Sequence, residues 1–163
     1  MTAIIWDRAF DLLMELEGGY VNNCHDKGGE TKYGISKKAY PDIDICNLTI
    51  EKAKEIYKRD YWNRCKCDYL PDALSVAVFD FAVHSGTKQA IKKLQEALGV
   101  KADGIIGNQT IGAANRIPTY KVLEEYLWRR LFFLIKLKDF KYFGEGWGNR
   151  VDRVRKFCER LIY

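Results

Sequence analysis

The chain has 163 residues, 47% of them hydrophobic and 13% aromatic, which supports one domain or two packed lobes and excludes collagen-like and disordered chains. No apolar run approaches the roughly 18 residues that span a bilayer, so stable membrane insertion is not expected. The net charge of +5, with many basic residues after Arg129, suits a polyanion such as nucleic acid, an anionic membrane or a cell wall; a solvated basic helix face would explain it equally, and no nucleic-acid motif accompanies it.

Residues 3–17 set Trp6, Phe10, Leu13, Met14 and Leu16 at amphipathic-helix spacing, and Gly18-Gly19 stops the pattern. Glu17 therefore falls on the last helical turn. There the helix dipole and aromatic neighbours disfavour an anion, so its carboxyl is expected to hold a proton more tightly than a free one. A glutamate that merely precedes a glycine cap is the other reading. Residues 18–36 then form a glycine-rich polar loop or small hairpin that would keep Asp26 solvated and ionised, with Thr31 shortly after it. Two carboxyls whose surroundings push their pKa values apart are used to cleave glycosidic bonds. In that chemistry Glu17 is the general acid, and Asp26 with Thr31 stabilises the cation or positions water. Glu30 replaces Asp26 if the loop register differs. The spacing leaves inverting and retaining routes open.

Further on, Pro41 closes a short turn after Ile35, and Thr49 is a plausible N-cap for a helix running to about Trp62 or Arg64. Tyr57, Tyr61 and Trp62 on its apolar face are either core residues or a saccharide-stacking wall. Residues 72–84 are apolar nearly all round, the pattern of a central buried helix, into which Asp80 and His84 are set. Each buried polar group needs a partner, and backbone or a lysine would serve for Asp80. His84 and His25 do not amount to a metal site, and no cofactor is expected. Five cysteines, Cys24, Cys46, Cys65, Cys67 and Cys158, fit no zinc pattern and read as reduced thiols, with a bridge after export left open. Residues 89–98 read as a helix, followed by a turn where Asn108 or Thr110 can cap. A long core helix over residues 121–140 is then broken by Gly144-Glu145-Gly146-Trp147-Gly148, and a last helix starts at Asn149.

The run Glu17-Gly18-Gly19-Tyr20, then Gly28-Gly29-Glu30-Thr31-Lys32-Tyr33-Gly34-Ile35-Ser36, with residues 57–62 and 80–86 beyond, resembles glycoside hydrolase family 108, a family of N-acetylmuramidases from phages and bacteria. The resemblance implies a mainly α, lysozyme-like fold with a small β-hairpin or loop after the first helix, and Glu17 as the catalytic glutamate. More distantly, Glu17, Asp26 and Thr31 look like the Glu-Asp-Thr triad of phage lysozymes, one residue short in the last gap. Tyr20, Tyr33, Trp62, His84 and Ser85 become candidate substrate contacts. The run from Asp103 to Thr110 resembles a turn of peptidoglycan-binding modules, which implies a catalytic lobe over 1–87 and a binding lobe over 88–163. The start of the last helix, Asn149-Arg150, resembles that of phage lysozymes, where the arginine sits against the catalytic glutamate; by that match Arg150 pairs with Glu17. The expected partner is the glycan strand of peptidoglycan, met by a monomer. A lytic transglycosylase and a non-catalytic wall-binding protein are the rival readings. The N-terminal residues lack the features of a conventional secretory signal, so the protein is expected to be made in the cytoplasm and to reach the wall after release or export.

Overall fold

A computed structural model of the chain describes residues 2–17 and 30–163, with side chains from Ile4 onward. Among them the protein is mainly α. The helices are α1 (Thr2–Leu16), α2 (Ile50–Tyr57), α3 (Asp72–Ser85), α4 (Thr87–Leu98), α5 (Asn108–Arg116), α6 (Thr119–Ile135) and α7 (Phe140–Ile162), beside an antiparallel hairpin of β1 (Thr31–Lys32) and β2 (Ile35–Ser36). The chain packs as two compact units, Met1–Asp60 and Tyr61–Tyr163.

In the first unit the apolar stripe of α1, with Trp6, Phe10, Leu13 and Met14 buried, matches the helical spacing of the sequence. Trp6 and Phe10 rings lie 5.9 Å apart, and Phe10 reaches Tyr57 of α2 at 6.1 Å. The Thr49 hydroxyl accepts from Lys52 N at 3.2 Å, the expected N-cap. Lys32 ↔ Ile35 and Thr31 ↔ Ser36 face each other across the hairpin, whose two-residue turn has Tyr33 at φ 53° and Gly34 at φ 76°. Positive φ at both positions is the twist that a right-handed strand pair needs. Lys37 N donates to Glu30 O at 2.8 Å and extends the ladder.

In the second unit α3 is central, every residue from Ala73 to Ala82 being buried. A helix that is apolar on all sides must be covered on all sides, and α4, α6 and α7 supply that cover. The turn of residues 67–69 just before α3 packs on it as well, and Trp62 meets Phe79.

One local expectation is met in a different geometry and two others change. The helix α2 stops at Tyr57, and residues Lys58–Trp62 continue it with π-helical geometry. The cap of α5 is Gly107, without a side-chain bond, because Thr110 turns inward. Its hydroxyl accepts from Gln95 Nε2 at 3.2 Å, and the same buried amide holds Asp103 Oδ1, Ile105 O and Gly104 N at 3.0, 2.9 and 2.9 Å. A buried amide needs this full set of partners, and the turn of residues 103–107 is built around it. Finally, α7 runs unbroken through Gly144, Gly146 and Gly148. Phe140, Phe143 and Trp147 recur on one face, with Phe140 and Phe143 centred 6.2 and 6.0 Å from Trp147, and this packing offsets the helix cost of the glycines. Gly144 is where the Phe140 ring lies, 2.7 Å from where a Cβ would stand.

Among the described cysteines, Cys65, Cys67 and Cys158 are buried free thiols. None of the described helices is long and apolar enough to cross a membrane.

Candidate active site

Glu17 follows α1 directly, and its N–H still donates to Leu13 O at 2.9 Å, so it stays on the last helical turn as expected. Its side chain is half-buried. The hairpin turn presses against it. A Cβ on Gly34 would lie 3.3 Å from Glu17 Cγ, 3.4 Å from Cδ and 2.5 Å from the Tyr57 hydroxyl. Only glycine provides both the positive φ and the clearance. Tyr57, itself buried, donates its hydroxyl to Tyr33 O at 2.8 Å, fixing the turn against the carboxyl. Tyr57 and Gly34 are positioning residues that the sequence did not single out for this task. The Tyr-Gly dipeptide between two short polar-apolar runs was the available signal for a tight hairpin.

Replacing Gly34 with Ala is therefore expected to damage this corner. Left-handed backbone costs a non-glycine residue about 1–2 kcal/mol, before the overlap with Tyr57 is counted. Thermal unfolding should show a lower midpoint, whereas Tyr57→Phe, which keeps the packing, should retain the fold and lower the midpoint less.

Thr31 opens β1 half-buried, and Glu30 precedes it, also half-buried. Tyr20 and Asp26 lie outside the described residues. Trp62, expected at a saccharide wall, is instead a core group: it is 0% exposed, its indole donates to Asp68 Oδ1 at 2.8 Å, and it meets Phe79 edge-on at 5.6 Å. No ring face remains for a sugar.

In the second unit the polar residues of α3 form a buried charge cluster. Asp80, 2% exposed, accepts from Arg130 Nη1 at 2.7 Å and from Arg150 Nη2 at 2.9 Å and Nε at 3.2 Å. Both arginines counted toward the basic C-terminal surface in the sequence; Arg130 is in fact 0% exposed. The partner of Asp80 is thus an arginine pair, not the expected backbone or lysine, and Arg150 is seen bonded to Asp80. Burial alone would raise the Asp80 pKa, but Arg130 and Arg150 outweigh it and hold the carboxyl below its ordinary range. Arg130 Nη2 also lies 3.2 Å from His84 Nδ1. Burial first, and then the charges of Arg130 and Arg150, push the His84 pKa down to about 4. Ser85 closes α3, half-buried.

That depression has a sign in stability. An unfolded histidine titrates near 6.5, and His84 in the fold near 4. Within that window the unfolded chain binds a proton that the folded chain refuses, so stability falls as pH drops from 6.5 to about 4 and changes no further from this source below it. Thermal midpoints measured across the window should show this slope, and His84→Gln should flatten it.

A family model described as Glycosyl hydrolase 108 matches residues 10–86, and one described as a predicted peptidoglycan domain matches residues 89–152. The solved structure of Brucella abortus SagA is 36% identical, covers 96% of this chain and 95% of its own, and superposes with a TM-score of 0.85. The chain belongs to glycosyl hydrolase family 108. No curated protein matches it. Like the structural relative, this family 108 hydrolase has a mainly α, lysozyme-like fold, as the sequence led one to expect. It is a glycoside hydrolase that acts on peptidoglycan.

Proposed function

We propose that this hydrolase is an N-acetylmuramidase, cleaving the β-1,4 bond between N-acetylmuramic acid and N-acetylglucosamine with Glu17 as general acid. The observation that carries the reading is the half-buried Glu17 carboxyl, held at the end of α1 by the Gly34 turn. A fixed carboxyl beside a rigid turn can deliver a proton to a glycosidic oxygen without reorganising. The leaving sugar departs with that proton, and the ring it leaves carries positive charge. A second carboxylate then stabilises the cation or activates water, and Asp26, with Thr31, is assigned that part, Glu30 being its replacement. Tyr20, Tyr33, His84, Ser85 and Arg150 are read as substrate contacts. The enzyme acts as a monomer that meets the wall after release or export.

Product analysis on purified sacculi tests the bond and the reaction type together. Mass spectrometry should find muropeptides ending in hydrated, reducible N-acetylmuramic acid. Anhydro ends would instead identify a transglycosylase, and reducing N-acetylglucosamine ends a different glycosidase. Whole-wall pull-down without any new ends would identify a binding protein.

A further inference from the structure

One cluster of the second unit stands apart from the acid chemistry. His84, at the end of α3, lies between two unlike neighbours. On one side is the Asp80–Arg130 pair, with Arg130 Nη2 at 3.2 Å from His84 Nδ1. A guanidinium nitrogen only donates, so Nδ1 accepts and the ring proton resides on Nε2. On the other side is an aromatic platform of α7. Trp147 stands edge-on to the imidazole at 5.7 Å, and Phe143 stacks on Trp147 at 6.0 Å and 30°. Phe143 is 57% exposed and Trp147 half-buried. Among the described residues Arg130 is the one hydrogen-bond partner of the imidazole.

We propose that His84, Trp147 and Phe143 form a saccharide subsite for an N-acetylated sugar of the glycan strand. The rings of Phe143 and Trp147 take the apolar face of the pyranose, and His84 Nε2–H donates to the acetamido carbonyl. The choice of an N-acetylated sugar rests on the muramidase reading; the platform and the fixed donor rest on geometry alone. Exposed aromatic faces suit the apolar side of a sugar ring, and a donor of set tautomer beside them separates an acetamido group from a hydroxyl. Behind the donor, Asp80, Arg130 and Arg150 carry charges of −1, +1 and +1, leaving +1, which favours an N–H that points at an acceptor. Burial and those arginines keep the imidazole neutral, so the donor does not change character between mildly acidic and neutral pH.

The test uses the full chain carrying Glu17→Gln, so that ligand is not consumed. Two neutral probes differ at one group per sugar: a β-1,4 trimer of N-acetylglucosamine and the corresponding glucose trimer. With ¹⁵N-labelled histidine, NMR should show His84 as the Nε2–H tautomer, its signals shifting with the acetylated trimer and not with the glucose trimer. Phe143→Ala and His84→Leu should each weaken the acetylated trimer by about tenfold, the size of one good contact, and His84→Gln, which keeps a donor, should lose less. Phe143 also packs on Trp147 within α7, so Phe143→Ala should lower the thermal midpoint slightly; with its affinity measured well below that midpoint, it remains informative if His84→Leu folds poorly. An Nδ1–H tautomer, equal affinity for the two trimers, or unchanged affinity in Phe143→Ala would overturn the proposal. So would loss of self-association in Phe143→Ala, which would make the face an interface between copies. Specific trimer binding by a protein that releases no muropeptides would sink the muramidase reading and leave this subsite standing.

Discussion

The Glu17→Gln protein should bind peptidoglycan and fail to degrade it. Glutamine has the size and polarity to occupy the half-buried corner beside Gly34, so the turn and the Tyr57–Tyr33 bond stay in place. What it lacks is a transferable proton. General acid catalysis contributes about 10²–10⁴-fold, and release of soluble muropeptides should fall by that amount. Pull-down with sacculi should be unchanged, because the region matching a peptidoglycan domain, residues 89–152, is untouched. Undiminished release would remove Glu17 from the acid role. Asp26→Asn and Glu30→Gln, assayed alongside, should differ sharply from each other, the one with the larger loss identifying the second carboxylate.

Asp80→Asn should cost more stability than most single substitutions in the chain. The carboxylate is buried between Arg130, whose side chain is 0% exposed, and Arg150, at 13%. Removing its charge leaves two guanidinium groups facing each other with little water to screen them. Loss of one partner from a buried ion pair costs about 3–5 kcal/mol, a large share of the stability of an ordinary domain. Urea unfolding should show a midpoint shift of that order, and the double variant Asp80→Asn with Arg130→Met should recover part of it, because one of the stranded charges is gone. Additive losses would mean that Arg130 does not depend on Asp80. The same carboxylate links stability to acid. Its folded pKa is depressed, so its contribution is present above the unfolded value of 3.8 and disappears as pH falls through the folded one. The His84 effect lies above that pH range, and the two can be separated by titration.

Much of the architecture could be read from side-chain periodicity. The stripe of α1 and the all-round apolar run of α3 are strong patterns, and both helices lie where those patterns put them. Glu17 was legible because glycines mark where α1 gives out. The expected break in α7 failed because glycine reports only local backbone cost, whereas the helix is held by aromatic contacts between residues a turn or two apart. Trp62 misled for a related reason: an aromatic at the end of an amphipathic run looks the same whether its ring faces a cleft or, as here, Phe79. Arg130 counts as surface charge in any composition, and its burial becomes visible only when Asp80, fifty residues earlier, is beside it. The hairpin's close approach to Glu17 depends on a Cβ that is not there, a property no motif of side chains can display. Tyr20 and Asp26 fall outside the described residues, so for them sequence remains the guide.

The thiols carry a practical consequence. Cys65, Cys67 and Cys158 are 0%, 1% and 0% exposed, and burial pushes the Cys67 and Cys158 thiols upward, away from the reactive thiolate. In an oxidising compartment the folded second unit therefore presents little for a disulfide exchange partner to attack. An alkylating reagent would modify these sulfurs only during transient opening, which makes them built-in clocks for the breathing of the helical core.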